Sequence, residues 1–177
     1  MKLQNKMRGI KVEKVTLNMG TGQPGDKLDK AMKLLTTITN MKTVQTKTQK
    51  RIPTWGLRPN LAIGCKVTVR KKKGEEILKR LLKALDNKLN QNKFDNSGNV
   101  SFGIKEYIDI PGVPYNMEIG IIGLEAAVTL ERPGYRIKKR KLKKSKIPTR
   151  HKITKKESME FMNKIFNVEI IEDEVAE

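Results

Sequence analysis

From Ile10 to Met19 polar and apolar positions alternate, with Val15, Leu17 and Met19 on one side and Thr16 and Asn18 on the other, which predicts a half-buried strand. The turn Gly20 to Gly25 ends it. Leu28, Ala31, Met32, Leu34, Leu35 and Ile38 then recur at helical spacing, so an amphipathic helix is expected from Asp26 or Lys27 to about Thr39, with Asp26 as its N-cap. Thr43 to Gln49 alternates again, Val44, Thr46 and Thr48 against Gln45, Lys47 and Gln49, and reads as a second strand. Pro53, Gly56, Pro59 and Gly64 break any pattern in Arg51 to Gly64, a long projecting loop that carries Arg51, Trp55 and Arg58. In the next strand Cys65, Val67 and Val69 alternate with Lys66, Thr68 and Arg70. Ile77, Leu78, Leu81, Leu82, Leu85 and Leu89 predict a second helix from about Glu75 to Asn90.

The later half is richer in strand pattern. Val100 to Ile104 and Met117 to Leu130 are strand material, joined through the turn-rich Ile110-Pro-Gly-Val-Pro-Tyr115. A basic connection with little apolar periodicity runs from Arg132 to Lys156 and is expected to be mobile in the free chain. Thr154 and Glu157 have capping-box spacing ahead of a short helix through Met159, Phe161, Met162, Ile165 and Phe166. These elements make one domain over residues 1–168, with a projecting loop at 51–64, a basic extension at 132–156 and an acidic tail at 169–177.

Charge changes the picture, because it is sorted along the chain. Lys30 to Gly74 holds twelve Lys or Arg and no acid, and Arg132 to Lys156 holds thirteen more and no acid. Those two stretches take 25 of the 38 basic residues and none of the 19 acids. Such a surface binds polyanions by releasing their condensed counterions, so nucleic acid is the first partner to expect. No run of ~18 apolar residues exists for a membrane span, and Met1 to Ile10 is too polar for a signal peptide, so a cytoplasmic protein is expected. Cys65 has no disulfide partner and reads as a small buried apolar residue, and His151 is the single histidine, so no soft-metal ligand set is available.

Gly20-Thr-Gly22-Gln-Pro-Gly25 has the spelling and the strand-to-helix context of a dinucleotide-binding turn. That chemistry also needs an acid on the ribose ~20 residues further on, and no Asp or Glu occurs between Asp29 and Glu75. Pro24 removes a backbone donor as well, and no Gly-Lys-Ser or Gly-Lys-Thr follows for a phosphate loop. His151 has no nucleophile partner suggested by any motif, and Glu75-Glu76 sits at a helix start. An enzyme is not expected, nor a cofactor.

If the strands are neighbours, Thr16, Asn18, Thr46, Lys47, Lys66, Thr68 and Arg70 form a polar sheet face. Its hydroxyls, amides and cations suit structured RNA better than duplex DNA, for which no reading motif is present. Aromatics are 5% of the chain, so base stacking on strands does not dominate. A free RNA-binding or RNA-remodelling module and an RNA-bound structural protein both fit this face.

Several ordered blocks then carry a resemblance: Val15-Thr-Leu-Asn-Met-Gly-Thr-Gly22, Ile63-Gly-Cys-Lys-Val-Thr-Val-Arg70, Phe94-Asp95 with Gly98-Asn99, Phe102-Gly-Ile-Lys-Glu106 and Arg132-Pro-Gly-Tyr-Arg136. Over roughly residues 8 to 168 the chain resembles the large-subunit ribosomal protein "L five" family, in its archaeal and eukaryotic branch. The resemblance implies an α+β fold, an antiparallel sheet with helices packed on one face and the other face open for RNA. It implies a structural role without catalysis: binding 5S rRNA and large-subunit rRNA in the central protuberance, and contacting P-site tRNA and a small-subunit head protein. Family contacts carry over to Asn18, Lys42, Thr46, Lys47, Lys66, Thr68 and Arg70. The basic extension, with Arg136, Lys138, Lys139 and Arg140, is expected to clamp large rRNA, and the loop with Arg51, Trp55 and Arg58 to face tRNA. Asn40-Met-Lys-Thr43 stands where the family usually has Gly-Gln-Lys-Pro, and Arg58-Pro-Asn60 where it often has Arg-x-Gly. Asn60 tolerates a positive φ, which would keep that turn.

Overall fold

The computed structural model describes residues 5–171. Five strands, β1 (Lys11–Gly20), β2 (Val44–Lys47), β3 (Ala62–Arg70), β5 (Val100–Ile104) and β6 (Leu124–Glu131), form one antiparallel sheet in the order β2-β3-β1-β6-β5. The remaining two strands, β4 (Lys88–Asn90) and β7 (Glu169–Ile171), make a separate parallel pair. With helices α1 (Asp26–Thr39), α2 (Lys71–Lys83), α3 (Arg136–Lys139) and α4 (Lys155–Phe166), this is the α+β architecture expected from the sequence. Among the described residues no helix is long and apolar enough to cross a membrane.

The alternation in β1 and β3 decides the layering. Val15, Leu17, Met19, Cys65, Val67 and Val69 are buried on one face, where they meet Leu28, Ala31, Leu34, Leu35 and Ile38 of α1 and Leu78, Leu81 and Leu82 of α2. Cys65 is fully buried, and burial raises its thiol pKa to about 11, so it is a packing residue with no tendency to form thiolate.

Several boundaries differ from the sequence reading. The N-cap of α1 is Gly25, at φ +123°, and Asp26 is the first helical residue. The loop ends at Leu61, because Ala62, Ile63 and Gly64 already pair in β3. Helix α2 begins at Lys71, directly after β3 with no loop between them, four residues before Glu75. It stops at Lys83, where Asp86 and Asn87 take left-handed conformations (φ +53° and +56°) and reverse the chain. Leu89, expected in that helix, is buried instead as the centre of β4. Strand β6 starts at Leu124. Met117 to Gly123 is turn and irregular chain, with Gly120 at φ +72° and Met117 and Ile121 exposed. Glu169–Ile171 of the expected acidic tail is strand β7, and residues 172–177 lie outside the described part.

The basic connection is not loosely attached. Arg132 is buried, and donates to Glu157 Oε1 at 2.6 Å and to the carbonyls of His151 (3.4 Å) and Lys152 (3.3 Å). Tyr135 Oη donates to the His151 carbonyl and accepts from the Ile153 amide at 3.1 Å. His151 Nε2 lies 2.9 Å from the Pro133 carbonyl oxygen. Ile153 is buried against Gly98, whose φ of +79° and lack of a Cβ let the two segments meet. The extension is thus an arm whose two ends are held together at its base. The anchors are three separated side chains, Arg132, Tyr135 and Ile153, with no periodicity to announce them in the sequence. At the start of α4, Thr154 and Glu157 form the expected capping box.

Candidate nucleic-acid interface

Paired strand residues share a face of the sheet, so the register settles which side chains stand together. Lys14 lies opposite Arg70 and Thr129, Thr16 opposite Thr68 and Ala127, and Asn18 opposite Lys66 and Glu125. Lys66 in turn pairs with Val44, Thr46 pairs with Gly64, and Gly103 pairs with Glu125. The result is an open surface across all five strands, polar except at Val44, Ala127 and the glycines, on the side away from α1 and α2. Asn18, Thr46, Lys66, Thr68 and Arg70 are brought together on it.

Lys47 is the exception among the strand residues. It follows Thr46 directly, and a bulge separates the two in the pairing with β3, so it is an exposed edge cation beyond the row that Thr46 joins. Lys42 is exposed in the connection between α1 and β2. Arg51 and Arg58 are exposed in the loop, and Trp55 is 70% exposed at its tip, while Leu57 turns inward. The loop closes on itself through an Ile52–Leu57 bridge and through Thr48, which exchanges backbone bonds with Asn60 and Leu61 and donates its hydroxyl to the Arg58 carbonyl. Asn60 adopts φ +66°, as that turn requires.

The open face also carries acids that the strand pattern did not reveal. A bulge between Val12 and Lys14 places Glu13 beside Lys14, and Glu13 Oε1 accepts from Arg70 Nη1 at 3.1 Å and from Lys139 Nζ at 2.6 Å. Lys139 also binds Glu131 Oε2 at 2.9 Å. Burial alone would push the Glu13 carboxyl up, but the hydrogen bonds from Lys139 and Arg70 outweigh it and hold the group below the ordinary carboxylate range. Partial burial likewise lowers Lys139, and its two carboxylates more than restore it, leaving it raised. Lys139 therefore ties the arm to one end of the open face. Arg136, Lys138 and Arg140 stay exposed on the arm, Arg140 with its Nε on the Lys143 carbonyl. The slip of period at a bulge has no signature in the alternation, whereas Glu125 follows from β6 once its start is known.

The glycine-rich turn is committed elsewhere. Both Thr21 N and Gly22 N donate to the Ile63 carbonyl, at 2.9 and 3.1 Å, so two of the amides a phosphate would need already hold β1 to β3. Among the described residues no three His, Cys, Asp or Glu side chains are grouped to hold a metal.

Known proteins resemble the chain along nearly its whole length. Residues 5–58 match the family model for ribosomal protein L5, and residues 62–161 match the model for the C-terminus of the ribosomal L5 protein family. The large ribosomal subunit protein uL5 of Sulfolobus acidocaldarius is 48% identical over 171 residues, covering 97% of this chain and 96% of its own length. Its counterpart in Nanoarchaeum equitans is 49% identical over 170 residues (96% and 100%), and that of Methanosphaera stadtmanae 45% over 166 (94% and 99%). With both halves matched and near-complete coverage of archaeal relatives, the chain belongs to the ribosomal protein L5 family, whose members are non-enzymatic structural proteins of the large ribosomal subunit.

Proposed function

We propose that the chain holds 5S rRNA on its open sheet face within the central protuberance. The observation that carries the reading is the register that sets Lys66 beside Asn18, Thr68 beside Thr16 and Arg70 beside Lys14. Hydroxyls and an amide in such a row suit 2′-hydroxyls and base edges, and the cations suit phosphate. The arm, with Arg136, Lys138 and Arg140 exposed, contacts large-subunit rRNA, and the loop tip with Arg51, Trp55 and Arg58 faces P-site tRNA.

The small-subunit head protein is assigned to a different surface. Ile108, Tyr115, Met117 and Ile121 are exposed close together in sequence, flanked by Glu106, Asp109 and Glu118. Apolar side chains among acids repel RNA and suit a basic protein partner.

Footprinting of the chain on 5S rRNA, repeated with Thr68→Ala/Arg70→Ala, tests the reading. The double variant should melt within a few degrees of the parent and lose affinity, since both side chains point away from the core. Unchanged affinity would overturn the face assignment. Release of the chain from large subunits by a high-salt wash would favour a free RNA-binding module instead.

A further inference from the structure

At the rim of the open face, where β1 ends and β6 begins, a cleft of about 590 Å³ lies between the sheet and the Lys88–Lys93 segment; Gly20, Gly103 and Gly123 line it together with polar side chains and six apolar ones, Leu89 and Phe102 among them. Its size falls within the ~300–1,000 Å³ of small-molecule sites. Three features make it more than a gap between elements. The first is its floor of bare backbone. Gly123 is required by the fold, because a Cβ there would come within 2.8 Å of the Lys105 carbonyl oxygen. Gly20 and Gly103 are not: neither has a positive φ, and a Cβ on either would meet nothing within 4 Å. Glycine in a strand costs stability relative to a side chain that packs, and where crowding does not demand it, it marks close approach by something else.

The second feature is charge. Lys88, Lys93 and Lys105 line the cleft, and no carboxylate lies within salt-bridge distance of any of them among the described residues. The third is a fixed acceptor. Asn18 Nδ2 donates to Glu125 Oε2 at 3.2 Å, which orients the carboxylate and leaves Oε1 and the second lone pair of Oε2 for two ligand donors. A ligand here needs an anion for the lysines and hydrogen-bond donors for Glu125.

We infer that this cleft receives an unstacked guanine nucleotide of an RNA strand, with the Glu125 carboxylate accepting from the N1–H and N2–H₂ edge of the base and the lysines holding its phosphates. Guanine alone among the bases offers two adjacent donors to a carboxylate, and single-stranded RNA is read by such edges. An RNA residue suits the site better than a free nucleotide because the row Gly103, Glu125, Asn18 and Lys66 continues from the cleft onto the open face, giving the strand a path in both directions. The inference rests on the RNA-binding reading above and adds a base preference to it.

The test titrates the ¹⁵N-labelled full chain at low salt with the trinucleotides UGU, UAU and UCU, and with GTP, following the amides of Gly20, Gly103 and Gly123. UGU should shift Gly20 and Gly103 saturably and bind at least fivefold more tightly than UAU or UCU. Glu125→Gln should erase that preference, and Lys88→Ala/Lys105→Ala should weaken all three trinucleotides alike. Gly103→Val, which fills the cleft from a strand position with space for it, should abolish the Gly20 shift. Equal binding of the three trinucleotides, shifts confined to β3, or GTP binding more tightly than UGU would each overturn the inference. Gel shifts with 5S rRNA and large-subunit rRNA separate the two levels. Failure of the unaltered chain to bind either RNA defeats the proposed function, whereas binding that Gly103→Val and Glu125→Gln leave intact defeats only the cleft.

Discussion

Replacing Arg132 by Met separates cations that build the fold from cations that meet RNA. Thirteen basic residues lie between Arg132 and Lys156, and on charge alone Arg132 belongs with the rest. Its side chain, however, is 4% exposed and makes three hydrogen bonds that join the two ends of the arm. Breaking a fully buried ion pair costs about 3–5 kcal/mol. Glu157 is 38% exposed and keeps its capping bonds to Thr154, so water recovers part of its charge. Methionine fills most of the volume. The expected loss is therefore roughly 2–3 kcal/mol, a fall in Tm of about 5–10 °C for a domain of this size. The slope of log affinity for rRNA against log salt should not change, because no phosphate contact is removed. Lys138→Ala/Arg140→Ala should do the reverse, keeping Tm and reducing the slope by up to ~1.8, about 0.7–0.9 per contact. Differential scanning calorimetry and salt-dependent filter binding give both numbers. An Arg132→Met protein that melts like the parent but has a shallower salt slope would refute the assignment of Arg132 to the fold.

Glu13 predicts a pH effect. Its folded pKa is depressed, so it stabilises the fold above the unfolded value near 4.5 and that contribution is lost as pH falls through the folded value. Urea melts from pH 7 to 3 should show a steeper acid loss in the parent than in Glu13→Gln; parallel curves would contradict the Arg70–Glu13–Lys139 network. Gly98→Ala places a Cβ within 2.5 Å of Ile153 Cγ2 at a φ of +79°, and should cost roughly 2–4 kcal/mol. Combined with Ile153→Ala it should lose less than the sum of the two, and strict additivity would deny the contact. Trp55→Ala should leave stability within ~0.5 kcal/mol and weaken P-site tRNA binding to subunits that carry it; a large loss of Tm would mean the exposed ring packs.

What the sequence made legible was whatever one buried face enforces. The alternation of Val15, Leu17 and Met19 with Thr16 and Asn18, and of Cys65, Val67 and Val69 with Lys66, Thr68 and Arg70, survives in the structure because slipping either strand by one residue would bury a charge. The α1 stripe and the Thr154–Glu157 box were readable for the same local reason. Features set by distant partners were not. Leu89 carries an apolar side chain at helical spacing, yet two left-handed residues divert it into β4, where its partner is Ile170. The Lys71–Lys73 run looks like a strand's basic end, yet a helix begins there at once, with Lys71 at φ +61° turning the chain and Gly74 close against the Val69 carbonyl. Of the candidate interface, the cations were visible and the acids that hold Arg70 and Lys139 were not.

The strand order has a consequence for how the chain is made. Strand β1, made before the other four strands of the sheet, is the central one, and its neighbours are β3 on one side and β6 on the other. An emerging chain can pair β1 with β3 once Arg70 has appeared, but the other edge of β1 stays unpaired until Leu124–Glu131 is complete. For that interval the nascent protein presents a long open edge with its apolar side only partly covered, the condition in which chains join edge to edge. The Lys11 and Lys14 cations on that edge and the acid-free segment already made keep like chains apart by repulsion. The same positive charge proposed to hold RNA in the finished protein thus protects the half-built sheet.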